Sequence, residues 1–559
     1  MNNPLLILLA CLFFAPQSFT QDYERQNYHS PLGIPHVLAS NFGELRPNHF
    51  HMGVDFKTNG RIGYNLYAVE DGYVSRIHVS PYGYGKVIYI DHPNGVTSVY
   101  AHCSEFKGQL DSIVRHTQQE QQNFEVEIFP KKNELNVTKG QVIAISGNTG
   151  GSTAPHLHFE LRDTETESAL NPLIYGFDIA DSRKPEIRGV KIYSLTKDGY
   201  RFNKSIKRQT LKTGNSYTVS NNAITIPADF LTKSGGIGFA FDVIDRLDAA
   251  NNSCGLYGSY LLVNGDTLFG QEINHIPFQS TRFVNSHTDY DEYALNRKKF
   301  HKSFRTTENT LPIYTVEDLG VLKAKAGDHI KVSYVAYDAQ GNTSVLNFTL
   351  RIKGGEICQT DSIVTDLSYL QPSTSMRVEQ NNTSVDFGVC TTYEPLSIDG
   401  THIESKIGDP NVPVQNPYRI NIIHDGLKDG KHYIEMITEK ERKKAISVTY
   451  EDNLITCEPK YFGTYKVKRD TTPPTIKALN VGNSSTQKRL SWEIYDEESG
   501  LKDYDLFIDG QWYLIEYDYK TKRITFVRER SLVGPLKLEL IILDNCGNST
   551  TWKKTAVFK

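Results

Sequence analysis

The stretch Pro155-His156-Leu157-His158-Phe159-Glu160 alternates polar and apolar side chains behind a proline, the pattern of a strand start with His156, His158 and Glu160 on one face. Far upstream, His51-Met52-Gly53-Val54-Asp55 sets a second histidine and a carboxylate an even number of positions apart. A helix would also align that pair at i and i+4, but Gly53 and the run Val54-Asp55-Phe56 suit a strand better. Two such strands side by side bring three imidazoles and one carboxylate onto one surface. Zinc in catalytic sites takes three protein ligands of nitrogen and oxygen type and keeps a fourth position for water. Two His and one Asp meet that need, and histidines remain to spare.

Two further stretches lie between these, Tyr100-Ala101-His102 and Ser146-Gly147-Asn148-Thr149-Gly150. In order, the four resemble the motifs of the lysostaphin/LytM-type zinc metallopeptidases, a family of peptidoglycan endopeptidases, over about residues 40 to 176. Gly63, Ala68, Asp71-Gly72 and Val74 are similar to that family's G-x-x-V-x-A-x-x-D-G-x-V pattern, with Leu66 where it has Val, and Lys139-Gly140-Gln141 fits as a turn. The resemblance implies an N-terminal, mainly antiparallel β peptidase domain. It implies His51, Asp55 and His158 as ligands of one Zn2+ per chain, and His102 and His156 as catalytic groups. Such a site lowers the pKa of a bound water toward about 7. One of His102 and His156 then accepts a proton and passes it to the leaving amine while the other hydrogen-bonds the developing oxyanion; the sequence leaves open which does which.

Each element taken alone has a plainer reading. An isolated H-x-G-x-D is more often a strand end with a solvated Asp, an isolated H-x-H is commonly a surface feature, and a lone His102 would be a partly buried, hydrogen-bonded histidine. His49 reads as a flanking residue of the first strand, with contact to substrate or metal as the alternative, and His92 as a nearby histidine without obvious purpose. Cys103 adjoins His102, but successive strand residues face opposite ways, so it reads as a small buried residue behind the site rather than a nucleophile.

A formal charge of -4 over 559 residues gives no basic field for nucleic acid or anionic lipid. Leu5 to Ala15 is an apolar run too short to span a bilayer, and Ser18-Phe19-Thr20 suits a signal peptidase, so residues 1–20 are expected to be an export signal. Export places the protein in the periplasm or outside the cell. Leu8-Leu9-Ala10-Cys11 also has the look of a lipobox, the alternative being a lipoprotein anchored at Cys11. No later stretch is long and apolar enough to be a transmembrane segment. The remaining cysteines are dispersed; Cys358, Cys390 and Cys457 share a region in which a disulfide would be compatible with export.

An internal repeat orders the rest of the chain. Asp181-Ser-Arg-Lys-Pro185 matches Asp470-Thr-Thr-Pro-Pro474, Gly255-Leu256 with Val263-Asn264-Gly265 matches Gly500-Leu501 with Ile508-Asp509-Gly510, and Asp338-Ala-Gln-Gly341-Asn342 matches Asp544-Asn-Cys-Gly547-Asn548. The expected organisation is a peptidase domain at 21–180, an immunoglobulin-like β domain at 181–354 with an insertion around His275 to Pro312, a β domain at 355–469 and a second immunoglobulin-like domain at 470–559. Phe106 to Pro130 is expected to add a helix and a strand beside the substrate groove, the alternative being a distant surface decoration.

The implied function is an exported zinc endopeptidase acting on peptidoglycan peptides. The export signal and sandwich tail resemble exported proteins of Gram-negative bacteria with directly cross-linked walls, which implies D-Ala cross-links (DD-endopeptidase). Two other classes are compatible with the sequence: a catalytically silent wall protein that activates a separate amidase, and an adhesion or assembly protein working through its β tail. The tail is either a spacer or a surface for a protein or wall partner.

Overall fold

The computed structural model describes residues 27–231, 235–357, 369–398, 406–438, 442–482, 484–485 and 487–558. The expected export signal and Cys11 lie outside the described residues. The protein is mainly β. The N-terminal domain is built on an antiparallel sheet whose strands are β1 (Leu38–Ser40), β2 (Val54–Lys57), β3 (Gly72–Val79), β4 (Lys86–Asp91), β5 (Val96–Cys103), β6 (Val126–Ile128) and β7 (His156–Asp163), in the order β1-β2-β7-β5-β4-β3-β6. A small sheet of Asn65–Tyr67, Val142–Ile145 and Glu105–Phe106 closes the domain.

Alternation along β7 sorts its two faces. Leu157, Phe159 and Leu161 point into the main core with Val54, Phe56 and Tyr100, while His156, His158, Glu160 and Arg162 share the opposite face. Of the upstream pair, only Asp55 lies in a strand. His51 precedes β2 in an extended segment tied to Gly43 and Glu44 by backbone hydrogen bonds of 2.8 and 2.9 Å. Gly53 sits at the approach to β7: a Cβ there would lie 2.4 Å from the Phe159 carbonyl oxygen, so only glycine lets this backbone press so close.

The segment after Tyr100-Ala-His102 holds helix α1 (Gln109–Gln121), seated on the core through Leu110 and Val114, and then β6. A helix and a strand are therefore present in the expected order. The strand lies away from the histidines, since β6 pairs with the edge of β3, four places along the sheet from β7.

Three further β units follow. In the first, strands such as Glu186–Leu195 and Gly236–Ile244 face Gly258–Val263 and His329–Tyr337 across a shared apolar core of Phe239, Phe241, Tyr334 and their neighbours. The stretch read as an insertion is built onto the N-terminal domain: His275–Ile276 pairs with Ala169–Leu170, and Ile273, Ile276, Leu311 and Ile313 enter that domain's core. Covering another domain's apolar surface accounts for an insertion so rich in buried side chains. The middle unit packs a five-stranded and a three-stranded sheet around Tyr418, Ile434 and Phe462. The last packs a four-stranded and a five-stranded sheet around Trp492, Leu506 and Leu540. The five described cysteines are free thiols, and Cys358 lies outside the described residues.

Candidate metal centre

Register brings the first two groups together. His158 on β7 stands directly opposite Asp55 on β2 and, on its other side, opposite Ala101 on β5. Asp55 Oδ1 lies 2.8 Å from His158 Nδ1 and 3.1 Å from His51 Nε2, and those two nitrogens are 3.1 Å apart. All three residues are buried, at 2% to 6% exposure. Tetrahedral zinc with bonds of about 2.0–2.1 Å sets its donors roughly 3.3 Å apart, so this trio needs to open by only a few tenths of an ångström to hold the ion. The donor set, two imidazoles and a carboxylate, fits zinc.

The atoms turned away from the cluster are each engaged. His51 Nδ1 donates to the Asn41 carbonyl at 2.8 Å, and Asp55 Oδ2 accepts from Arg46 at 2.7 Å. His158 Nε2 donates to Glu160 Oε1 at 2.8 Å; Glu160 in turn is gripped by Arg162, 2.7 Å from its second oxygen, and by the Tyr84 hydroxyl. A carbonyl or carboxylate can only accept, so these contacts place a proton on His51 Nδ1 and on His158 Nε2 and turn His51 Nε2 and His158 Nδ1, the nitrogens a metal would take, toward Asp55. Burial holds the His51 pKa below its ordinary value, which keeps the ring neutral as a ligand must be. For His158, burial also opposes charge, but the hydrogen bonds to Asp55 and Glu160 outweigh it and carry the pKa up to about 9: the pocket favours a positive charge between two carboxylates. Burial would raise Glu160, yet Arg162 and His158 bring it down to about 2.

The two other histidines close over this cluster. Alternation alone would turn His102 away, because it is Ala101 that shares the face of His158. A bulge between β4 and β5 interrupts the pairing at this point, and His102 adopts a left-handed backbone, φ 61°. Its ring then reaches the site, 4.8 Å from His156 and 5.9 Å from His158 by ring centroids. His102 Nδ1 donates to the Thr149 carbonyl at 2.9 Å, and His156 Nδ1 to the Ala154 carbonyl at 2.8 Å. In each ring Nε2 is the nitrogen not taken up by a carbonyl, and that of His156 is 3.4 Å from Asp55 Oδ1. Burial, helped by the neighbouring rings of His158 and His156, pushes His102 down to about 3.

The remaining sequence candidates fall elsewhere. His49 is exposed and bonds the Pro47 carbonyl, and His92 is buried between Asp71 and Ser98. Cys103 is fully buried, with its thiol pushed up to about 12 by burial, so it is no nucleophile.

Two features were beyond reach of the motifs. One is the Glu160-Arg162 support of His158, for which only the alternation of β7 gave a hint. Glu160→Gln is expected to weaken zinc binding by about 10- to 100-fold, the usual effect of removing a partner that orients a ligand. Competition with a chromogenic chelator measures it, and an unchanged affinity would show that Glu160 serves packing alone.

The other is the last β unit, whose turn at Tyr519-Lys520 leans on the rim. Lys520 Nζ donates to the carbonyls of Asn148 (2.5 Å) and Ser152 (3.0 Å), the Tyr519 ring packs at a tilt against Tyr82, and Glu516 pairs with Lys86 at 2.8 Å. Lys520 thus bridges the loop that carries the partners of His102 and His156. Lys520→Ala is expected to lower kcat roughly fivefold, about 1 kcal/mol of lost loop order, with zinc content intact. Unchanged kinetics would make the contact incidental.

An antiparallel β domain with two imidazoles and a carboxylate converging on one point defines a metallopeptidase fold and site. The profile of Peptidase family M23 matches residues 49–120 and 123–172, and this part of the chain is a domain of that family. An uncharacterized metalloprotease of Haemophilus influenzae is 34% identical over 131 residues, 23% of this chain and 21% of the relative. The peptidoglycan DD-endopeptidase ShyB of Vibrio cholerae is 35% identical over 111 residues, 20% of each chain. The catalytic domain of lysostaphin from Staphylococcus simulans aligns over 25% of this chain and 90% of its own at 26% identity, with a TM-score of 0.19. The chain spans about a fifth of the length of the curated relatives it matches.

Proposed function

We propose that this chain is an exported, zinc-dependent endopeptidase that hydrolyses peptide cross-links of bacterial peptidoglycan, D-Ala cross-links in particular. Residues 21–180 do the chemistry, and the β units at 181–354, 355–469 and 470–559, the first and last read as immunoglobulin-like, hold that domain and its substrate in place. The observation that supports this most is the complete set of oriented groups: His51 Nε2, His158 Nδ1 and Asp55 Oδ1 converge, and two further imidazoles present free Nε2 atoms beside them.

In this reading His51, Asp55 and His158 hold one zinc ion. Bound there, zinc supplies Lewis acidity toward a scissile carbonyl and makes water a nucleophile near neutral pH. The chain's own residues do the rest. Asn41 and Glu160 keep the ligand imidazoles in their metal-binding tautomers, and Arg46 holds the second oxygen of Asp55 away from the centre. His102 and His156 divide between them the acceptance of the water's proton, its delivery to the leaving amine and the hydrogen bond to the developing oxyanion. Among the described residues no helix is long and apolar enough to cross a membrane.

Mass spectrometry of purified peptidoglycan digested with the zinc-loaded protein tests the proposal. D-Ala cross-linked dimers should fall to monomers, and a chelator should stop the reaction until zinc is restored. Release of glycine termini from a glycyl-bridged wall, with D-Ala dimers untouched, would overturn the choice of bond. No peptide release from any wall would leave a silent binding protein.

A further inference from the structure

Away from the histidines, two groups of three carboxylates occupy equivalent places in the first and last β units. Asp181, Asp245 and Asp338 bring one oxygen each to within 4.8 Å of one another, and so do Asp470, Asp496 and Asp544. The loops around them are built alike. Asp338 Oδ1 accepts the amides of Gln340 and Asn342, both at 2.9 Å, and Asn342 Nδ2 returns to Asp338 Oδ2 (2.8 Å) and reaches the Asp181 carbonyl (3.1 Å). Asp544 does the same with Cys546 (2.9 Å) and Asn548 (2.7 Å), and Asn548 Nδ2 reaches the Asp470 carbonyl at 3.2 Å. In both units the segment entering the unit is clamped to its last hairpin beside three acids.

The first group has a feature that the loop geometry does not explain. Asp245 is 2% exposed, and its Oδ1 has no hydrogen-bond partner. With Asp181 and Asp338 it lines a narrow pocket at the junction with the N-terminal domain, bounded on the other side by Asn41, Leu173 and Ile179. A buried carboxylate oxygen without a donor is costly unless a charge compensates it. The nearby guanidinium groups are directed elsewhere, Arg183 to the Ala250 carbonyl and Arg246 to Glu186 and the Asn251 carbonyl. Burial and the crowding of like charges accordingly push Asp181 up to about 7 and Asp245 to about 8.

We propose that Asp181, Asp245 and Asp338 bind a divalent cation, calcium by its chemistry, that locks the first β unit onto the N-terminal domain. The donors are all oxygen. Calcium-oxygen bonds of about 2.3–2.6 Å allow ligand oxygens up to about 5 Å apart across the ion, and its coordination sphere tolerates irregular geometry and added waters. Magnesium demands a tighter octahedron, and zinc prefers nitrogen and sulfur. The three ligands come from the entering segment, the end of the strand Gly236–Ile244 and the last hairpin, so one ion ties together the parts that set the unit's orientation.

Calorimetric titration of CaCl2 into the zinc-loaded full chain, with thermal unfolding in parallel, tests this. Wild-type protein should bind calcium saturably, and about 5 mM CaCl2 should raise its Tm by a few degrees. Asp245→Asn, close in shape, should lose one binding equivalent or weaken it at least about tenfold. Asp181→Asn, on the entering segment, should do the same and carries the test if the Asp245 variant does not fold. Asp496→Asn, in the other group, should leave this site intact. No saturable binding by wild type, or wild-type stoichiometry and affinity in both Asp245→Asn and Asp181→Asn, would overturn the proposal. So would an Asp245→Asn protein that is more stable than wild type while wild type ignores calcium, since the acids would then be sharing a proton.

Discussion

Alanine at His158 is expected to empty the zinc site and abolish hydrolysis in one step. The imidazole supplies one of the three donors that converge there among the described residues, and it is also the link through which Glu160 and Arg162 brace the centre. Removing it leaves Asp55 with one fewer partner and Glu160, 0% exposed, without the ring it accepts from. The same loss is expected of His51→Ala and Asp55→Ala, in the latter case with Arg46 also losing its carboxylate partner. Lewis-acid assistance amounts to several kcal/mol of transition-state stabilisation, so activity should fall by about a thousandfold or more, in proportion to lost zinc. Elemental analysis of the purified variants beside their digests of purified peptidoglycan checks both halves. Stoichiometric zinc in His158→Ala would remove His158 from the ligand set.

How far these groups could be read from the sequence depends on what places each one. His156, His158 and Asp55 were legible because strand alternation is local, and the observed register sets His158 opposite Asp55. His51 was legible as a motif residue but not as a strand residue, since its backbone pairs with a neighbouring turn. His102 shows where alternation fails: only a bulge and a left-handed residue bring it to the site, and neither leaves a mark in a Tyr-Ala-His triplet. The repeat exposed Asp181 with Asp470 and Asp338 with Asp544. Asp245 and Asp496 escaped because their distances to the next matched landmark, Gly255 and Gly500, differ. Contacts between units, such as Lys520 on the loop at Asn148 or Leu311 in the N-terminal core, follow from how domains dock, and nothing in local pattern encodes that.

His156→Ala should behave in the opposite way to His158→Ala, although the two residues share a face of one strand. His156 spends its Nδ1 proton on the Ala154 carbonyl and leaves Nε2 at the mouth of the site, 3.4 Å from Asp55 Oδ1, beside the three converging donors. Its removal therefore takes away a proton carrier or an oxyanion donor while the ligand set stands. The same holds for His102, whose ring is set by the Thr149 carbonyl. Either loss is expected to cost about a hundredfold to ten-thousandfold in kcat with full zinc occupancy. The double variant should lose less than the product of the two single effects if the imidazoles act on one transition state, because the second substitution then removes help already compromised. Zinc content is the deciding measurement. If His156→Ala lost its metal while His158→Ala kept it, the ligand would be the outer residue of the pair, and the hydrogen bond of His158 to Glu160 would mark a structural histidine in place of an oriented ligand.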